Sequence, residues 1–86
     1  MQRRWVVSTE YRAAVNAISN YRKSLGVSQR ELARRLEKPP SFVNKIELFE
    51  RRLDILEFVA ICQALEVSPQ VLLGLIVERV GDRVPI

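Results

Sequence analysis

The 86 residues predict an all-α domain built from five short helices. Apolar residues recur at helical rather than strand spacing, helix-starting residue pairs punctuate the chain, and no internal stretch reads convincingly as a strand. With 48% apolar residues, the chain can bury one compact core, and its length leaves no room for a second domain. The expected divisions are an N-terminal arm or short strand over 1–8, the helical domain over 9–80 and a tail over 81–86.

The first helix takes its cap from Thr9 or Ser8, and Tyr11, Ala14, Val15, Ile18 and Leu25 form its inward stripe. Gly26 ends it in the usual left-handed position. Ser28 and Glu31 open the second helix as a capping box, with Val27 and Leu32 placed for a hydrophobic staple. The third helix is expected to begin at Pro40, whose missing N–H costs nothing at a first helical position, and to bury Val43 and Ile46 with Phe42 near the turn. Asp54 with Glu57 and Leu53 with Phe58 repeat the box and staple for a fourth helix, whose stripe is Phe58, Ile61, Cys62 and Leu65. Ser68 and Pro69 start a fifth, with Val67 and Leu72 as its staple. Ahead of all five, Arg3-Arg4-Trp5-Val6-Val7 reads either as a short strand or as a disordered arm.

Charge is divided along the chain. Residues 1–52 hold twelve Lys/Arg against five Asp/Glu, whereas residues 53–86 hold two against five. Such an asymmetry suits a domain with one face on a polyanion and the other turned away. No histidine is present, so the commonest zinc ligand and general base are missing. No glycine-rich phosphate loop and no spaced carboxylate pair on an apolar wall appear either, and Cys62 falls on a core stripe. The sequence is therefore expected to be no enzyme and to need no cofactor. The lone cysteine leaves no internal disulfide framework, and the longest apolar run, Val71 to Val77, is far short of the roughly 20 residues of a membrane span. The N-terminus lacks a signal-peptide pattern, so a cytoplasmic protein without membrane contact is expected.

Val27 to Leu36 and Pro40 to Glu47 read as two short helices joined by a tight turn, the second with polar residues on the face its apolar residues leave open. That is how a helix-turn-helix presents a helix to DNA. From Tyr21 to Leu73 the chain resembles the Cro and phage-repressor type of helix-turn-helix, the XRE family. The resemblance rests on Leu25-Gly26-Val27-Ser28-Gln29-x-Glu31-Leu32-Ala33, on Ser41 to Glu47, and on Glu50-Arg51-Arg52-Leu53-Asp54. It implies a lambda-repressor-like bundle with the motif as helices two and three. It also implies a sequence-specific transcriptional regulator, usually a repressor, that binds double-stranded DNA as a homodimer.

Carried over by position, Pro40, Ser41, Asn44 and Lys45 would read bases. Asn pairs bidentately with adenine, Lys with guanine, and Ser with either partner type, while Pro40 offers only an apolar contact. Gln29, with Ser28 holding the helix start, would bind a phosphate, as would Arg30, Arg51 and Arg52. Arg22 and Glu47 match the family's ion pair between the first and third helices. Arg34 and Arg35 read as a solvated face.

Three positions depart from the family pattern. Glu37, Phe49 and Glu66 stand where glycine is usual, so these turns are either strained or built differently. Leu48 and Phe49 would then continue the third helix by part of a turn, displacing Arg51 and Arg52, or form an apolar patch for a partner protein. The patch motivates an alternative reading as an antitoxin-like interaction module. Val71, Leu72, Leu75, Ile76 and Val80 give the fifth helix more apolar surface than one inward face needs, which suits a homodimer seam.

Overall fold

The computed structural model describes residues 8–86, and among them the chain forms five helices and no strand. These are α1 (Thr9–Ser24), α2 (Gln29–Arg35), α3 (Ser41–Glu47), α4 (Ile55–Leu65) and α5 (Pro69–Val80). The helix α1 packs along α5, and the α2–α3 pair is carried on α1 and α4. Apart from Ser8, the N-terminal arm lies outside the described residues. Residues 81–86 follow α5 without further helix.

Helix starts follow the side chains that can serve as caps. The hydroxyl of Ser8, rather than Thr9, accepts the Tyr11 N–H, and that of Ser28 accepts the Glu31 N–H. Only α4 closes both halves of its capping box: Asp54 accepts from the Glu57 N–H, and the Glu57 carboxylate accepts from the Asp54 N–H. In α2 the second half gives way to a stronger attraction, because Glu31 is forked by Arg34 and Arg35. The third helix starts at Ser41, one residue later than expected, although Pro40 already holds helical angles of φ −54° and ψ −29°.

The central cluster joins Ile18 of α1, Leu32 and Ala33 of α2, Val43 of α3, Ile61, Cys62 and Leu65 of α4, and Leu72 of α5. Phe42 is partly buried against it. Leu25, expected on the inward stripe, is 45% exposed, because the chain turns away at the end of α1. Leu72, expected at a dimer seam, is fully buried in its own domain. No single helix is long and apolar enough to cross a membrane.

Four helices end in one way. At Gly26, Glu37, Phe49 and Glu66 the backbone enters the left-handed region, with φ of 73°, 57°, 62° and 58°. In each case the next N–H reaches back to a carbonyl five residues earlier: Val27 to Arg22, Lys38 to Ala33, Glu50 to Lys45 and Val67 to Cys62. This is the Schellman closure. It stops α3 at Glu47, with Leu48 as its cap, so Leu48 and Phe49 do not continue the helix. The paired backbone hydrogen bonds hold three side-chain-bearing residues in a conformation costing roughly 1–2 kcal/mol each relative to glycine.

Glu37 is exposed and makes no side-chain hydrogen bond among the described residues. Relief of the left-handed strain therefore exceeds the added unfolded-state entropy of a glycine. Glu37→Gly should raise stability by about 0.5–1 kcal/mol; a higher urea midpoint at unchanged slope checks it, and a lower midpoint would refute it.

Candidate nucleic-acid interface

The site begins with one carboxylate. Glu47, the last residue of α3, is held by three neighbours. Its Oε2 accepts from Arg22 Nε at 2.8 Å. Its Oε1 accepts from Arg22 Nη2 at 2.8 Å, from Gln29 Nε2 at 2.7 Å and from Ser19 Oγ at 3.2 Å. The remaining guanidinium nitrogen of Arg22 donates to the Val27 carbonyl at 2.7 Å, in the α1–α2 turn. Side-chain exposure is 6% for Arg22 and 11% for Glu47. Burial pushes the Glu47 carboxyl upward and is the largest single influence on it. The hydrogen bonds from Arg22, Gln29 and Ser19 and the charge of Arg22 together outweigh burial, so the group ionises below its ordinary value.

This network is the ion pair expected between Arg22 and Glu47, but it contains more than that pair. Gln29, expected to bind a phosphate, donates its amide to Glu47 and so pins the start of α2 to the end of α3. Ser19 lies one turn from Arg22 on α1, but only the fold brings Ser19 and Gln29 to the same carboxylate.

With its end fixed, α3 turns Val43 and Ile46 into the core and leaves Pro40, Ser41, Asn44 and Lys45 along the opposite side. Spacings of three and four residues place these on one helical face. Pro40, Ser41 and Lys45 are exposed and Asn44 is half-buried. Ser41, Asn44 and Lys45 make no side-chain hydrogen bond or ion pair among the described residues. Amide, hydroxyl and ammonium groups thus face outward without internal partners.

The surrounding cations separate into two sets. Arg51, expected on a phosphate, instead forks the Glu57 carboxylate with Nη1 at 2.8 Å and Nη2 at 2.5 Å, and lies 4.7 Å over the Phe42 ring. Its guanidinium ties the loop after α3 to the start of α4, and holds the Glu57 carboxyl below its ordinary value. Arg34 and Arg35 clamp Glu31, whose pKa falls to about 2, and Arg35 also donates to the Ala64 carbonyl at 2.9 Å. On the outer surface stand Arg30, Lys38, Lys45 and Arg52, all exposed. The Arg52 guanidinium lies 5.6 Å from the Tyr11 ring, and the Lys38 ammonium lies 5.5 Å from that of Phe42. Lys38, in the turn between the two motif helices, was not among the residues singled out in the sequence.

Leu48 is 54% exposed, whereas Phe49 is half-buried with the Arg12 guanidinium 5.3 Å over its ring. The apolar patch expected from the two residues is therefore mainly Leu48, and single exposed leucines are ordinary on soluble domains.

Two short helices joined by a tight turn, the second offering an outward polar face with cations on the surface around it, form a helix-turn-helix. A helix-turn-helix family model matches residues 18–72. The chain is also 40% identical to a solved structure described as an XRE-family like protein from Pseudomonas syringae pv. tomato str. DC3000, with a TM-score of 0.72. That likeness covers 79% of this chain and 85% of the other. No curated protein matches the sequence. The chain belongs to the XRE-type helix-turn-helix family, whose members are DNA-binding regulators and generally not enzymes, and it has their lambda-repressor-like helical fold.

Truncating one partner of a buried, hydrogen-bonded ion pair costs roughly 3–5 kcal/mol. Arg22→Ala should lower the melting temperature and weaken DNA binding together, and an unchanged thermal melt would remove the network from its structural role. Acid should act through the same carboxylates. Glu47 and Glu57 bind protons less readily folded than unfolded, so their contribution is complete above the unfolded value of about 4.3 and is lost as pH falls through the folded values. Urea midpoints should be level at neutral pH and fall below about pH 4, with Glu47→Gln showing a shallower fall; parallel curves for the two proteins would contradict this.

Proposed function

We propose that this domain binds double-stranded DNA sequence-specifically by laying α3 in the major groove, and acts as a transcriptional repressor by covering a promoter. The observation that carries the reading is the outer face of α3. Pro40, Ser41, Asn44 and Lys45 are turned outward, and the three polar side chains among them have no internal partner among the described residues. Buried or clamped polar groups satisfy the fold, whereas an amide, a hydroxyl and an ammonium on one helical face match the hydrogen-bonding edges of bases.

Arg30, Lys38 and Arg52 supply the phosphate contacts in this reading, with Ser28 shaping the start of α2 beside Arg30. Gln29 and Arg51 leave that list, since their side chains are engaged with Glu47 and Glu57. The domain acts as a homodimer on a two-fold symmetric site, and Val71 and Leu75, one turn apart and exposed on α5, belong to the seam. No cofactor is needed, and the site of action is the cytoplasm, where the DNA lies.

Selection from a randomised duplex pool at two salt concentrations tests the proposal. Enrichment of a two-fold symmetric sequence supports it; weak, unselective, salt-sensitive binding would replace it with the partner-protein reading centred on Leu48. On the enriched site, Asn44→Ala should cost roughly 1–3 kcal/mol and relax preference at one base step, while Arg30→Ala should weaken all sequences alike and lower the salt slope by about 1. Identical behaviour of the two variants in a competition titration would overturn the division into base-reading and phosphate contacts.

A further inference from the structure

The Phe42 ring is shared by two cations. The Arg51 guanidinium lies 4.7 Å and the Lys38 ammonium 5.5 Å over its centre, both within the roughly 6 Å at which a cation is drawn to the negative face of an aromatic ring. Phe42 belongs to α3 and is half-buried, so part of the ring packs on the core while another part meets solvent. Beside Lys38 a small recess of about 70 Å³ is walled by Leu36, Phe42, Glu57 and Ala60. The ring thus gathers the turn before α3 and the loop after it onto one side chain of the helix between them.

The two cations are not equivalent. Arg51 is matched by Glu57, whose two carboxylate oxygens both accept from its guanidinium, and one of them also accepts the Asp54 N–H. The carboxylate nearest to hand is therefore taken. Lys38 is exposed, and its ammonium makes no hydrogen bond or ion pair among the described residues. Its backbone is nevertheless fixed, because its N–H closes α2 on the Ala33 carbonyl at 2.9 Å and two prolines follow it. The contact with the ring is then what restrains the ammonium. Lysine carries a point charge on a flexible stem, and a freely swinging stem gives up its rotamer freedom on tying down a phosphate. A stem already drawn to a ring has given up part of that freedom beforehand.

We infer that Phe42 is a positioning residue for DNA binding: its ring holds the Lys38 ammonium at the surface beside the start of α3, poised for a backbone phosphate, while its packed part anchors the helix. The inference rests on the reading of Lys38 as a phosphate contact.

Phe42→Leu keeps an apolar side chain against the core and removes the ring. Affinities of Phe42→Leu, Lys38→Ala and the double variant would be measured over a range of salt on the enriched site and on an unrelated duplex, at a temperature where far-UV circular dichroism shows each chain folded. Phe42→Leu should weaken binding to both duplexes by the same factor, about two- to fivefold. Lys38→Ala should weaken both further and lower the salt slope by about 1. Adding Phe42→Leu to Lys38→Ala should then change nothing more. In the unaltered chain, the ring current should move the Lys38 ε-methylene proton resonances upfield. An undiminished effect of Phe42→Leu in the Lys38→Ala chain, or a loss confined to the enriched site, would show that the ring only shapes α3 and would overturn the inference. Unshifted Lys38 resonances would overturn it as well, with neither DNA nor a variant required. Shifted resonances in a chain that binds no duplex would instead remove the DNA-binding reading, and the phosphate role of Lys38 with it.

Discussion

The placement of α3 depends on one largely buried carboxylate. Glu47 closes α3 and collects donors from α1 and α2, so a single side chain fixes the mutual placement of three helices. The helices α2 and α3 are each seven residues long, too short to persist alone, since isolated helices below about 12–15 residues are marginal in water. Core contacts through Leu32, Ala33, Val43 and Ile46 hold them, but apolar packing is non-directional and tolerates small rotations. The charged hydrogen bonds are directional. Arg22 donates from three nitrogens, two to Glu47 and one to the α1–α2 turn, so rotating α3 would strand a buried charge.

The basic excess of the first 52 residues is only partly a surface property. Arg22, Arg34, Arg35 and Arg51 each face a carboxylate inside the domain. What these pairs do is architectural: Arg35 reaches the last turn of α4, and Arg51 joins the loop after α3 to the first turn of α4. Of the exposed cations, Arg30, Lys38, Lys45 and Arg52 lie in or next to the motif. A count of charge along the sequence therefore overstates the positive charge left unpaired at the surface.

Local chemistry made much of the fold legible. Ser8, Ser28 and Asp54 cap the helices that follow them, and Val43, Ile46, Ile61, Cys62 and Leu65 are buried as their spacing implies. The outward face of α3 was legible too, because the outward placement of Ser41, Asn44 and Lys45 follows from the burial of Val43 and Ile46. The roles that could not be read from the sequence depend on partners brought close by folding. Nothing near Gln29 indicates that its amide meets Glu47, eighteen residues away, and nothing near Arg51 indicates that Glu57 is within reach. Leu25 misled for a related reason: helical periodicity continues on paper past the point where Gly26 turns the chain.

The left-handed residues explain why departures from the family pattern did not become departures from the fold. A Schellman closure is specified by two backbone hydrogen bonds, and glycine only lowers the strain of meeting them. At Phe49 the side chain has a compensating use, because its ring receives the Arg12 guanidinium and is half-buried. This contact joins the first turns of α1 to the residue just past α3, while Arg22 joins the last turns of α1 to Glu47. Two contacts from opposite ends of α1 thus flank the end of α3. A glycine at 49 would relax the backbone and remove one of them. Glu37 and Glu66 have no comparable side-chain contact among the described residues, so the same substitution there would relax the backbone without such a loss. The three turns look alike in the backbone but differ in what the side chain contributes, and that difference decides whether a residue other than glycine is structurally useful there.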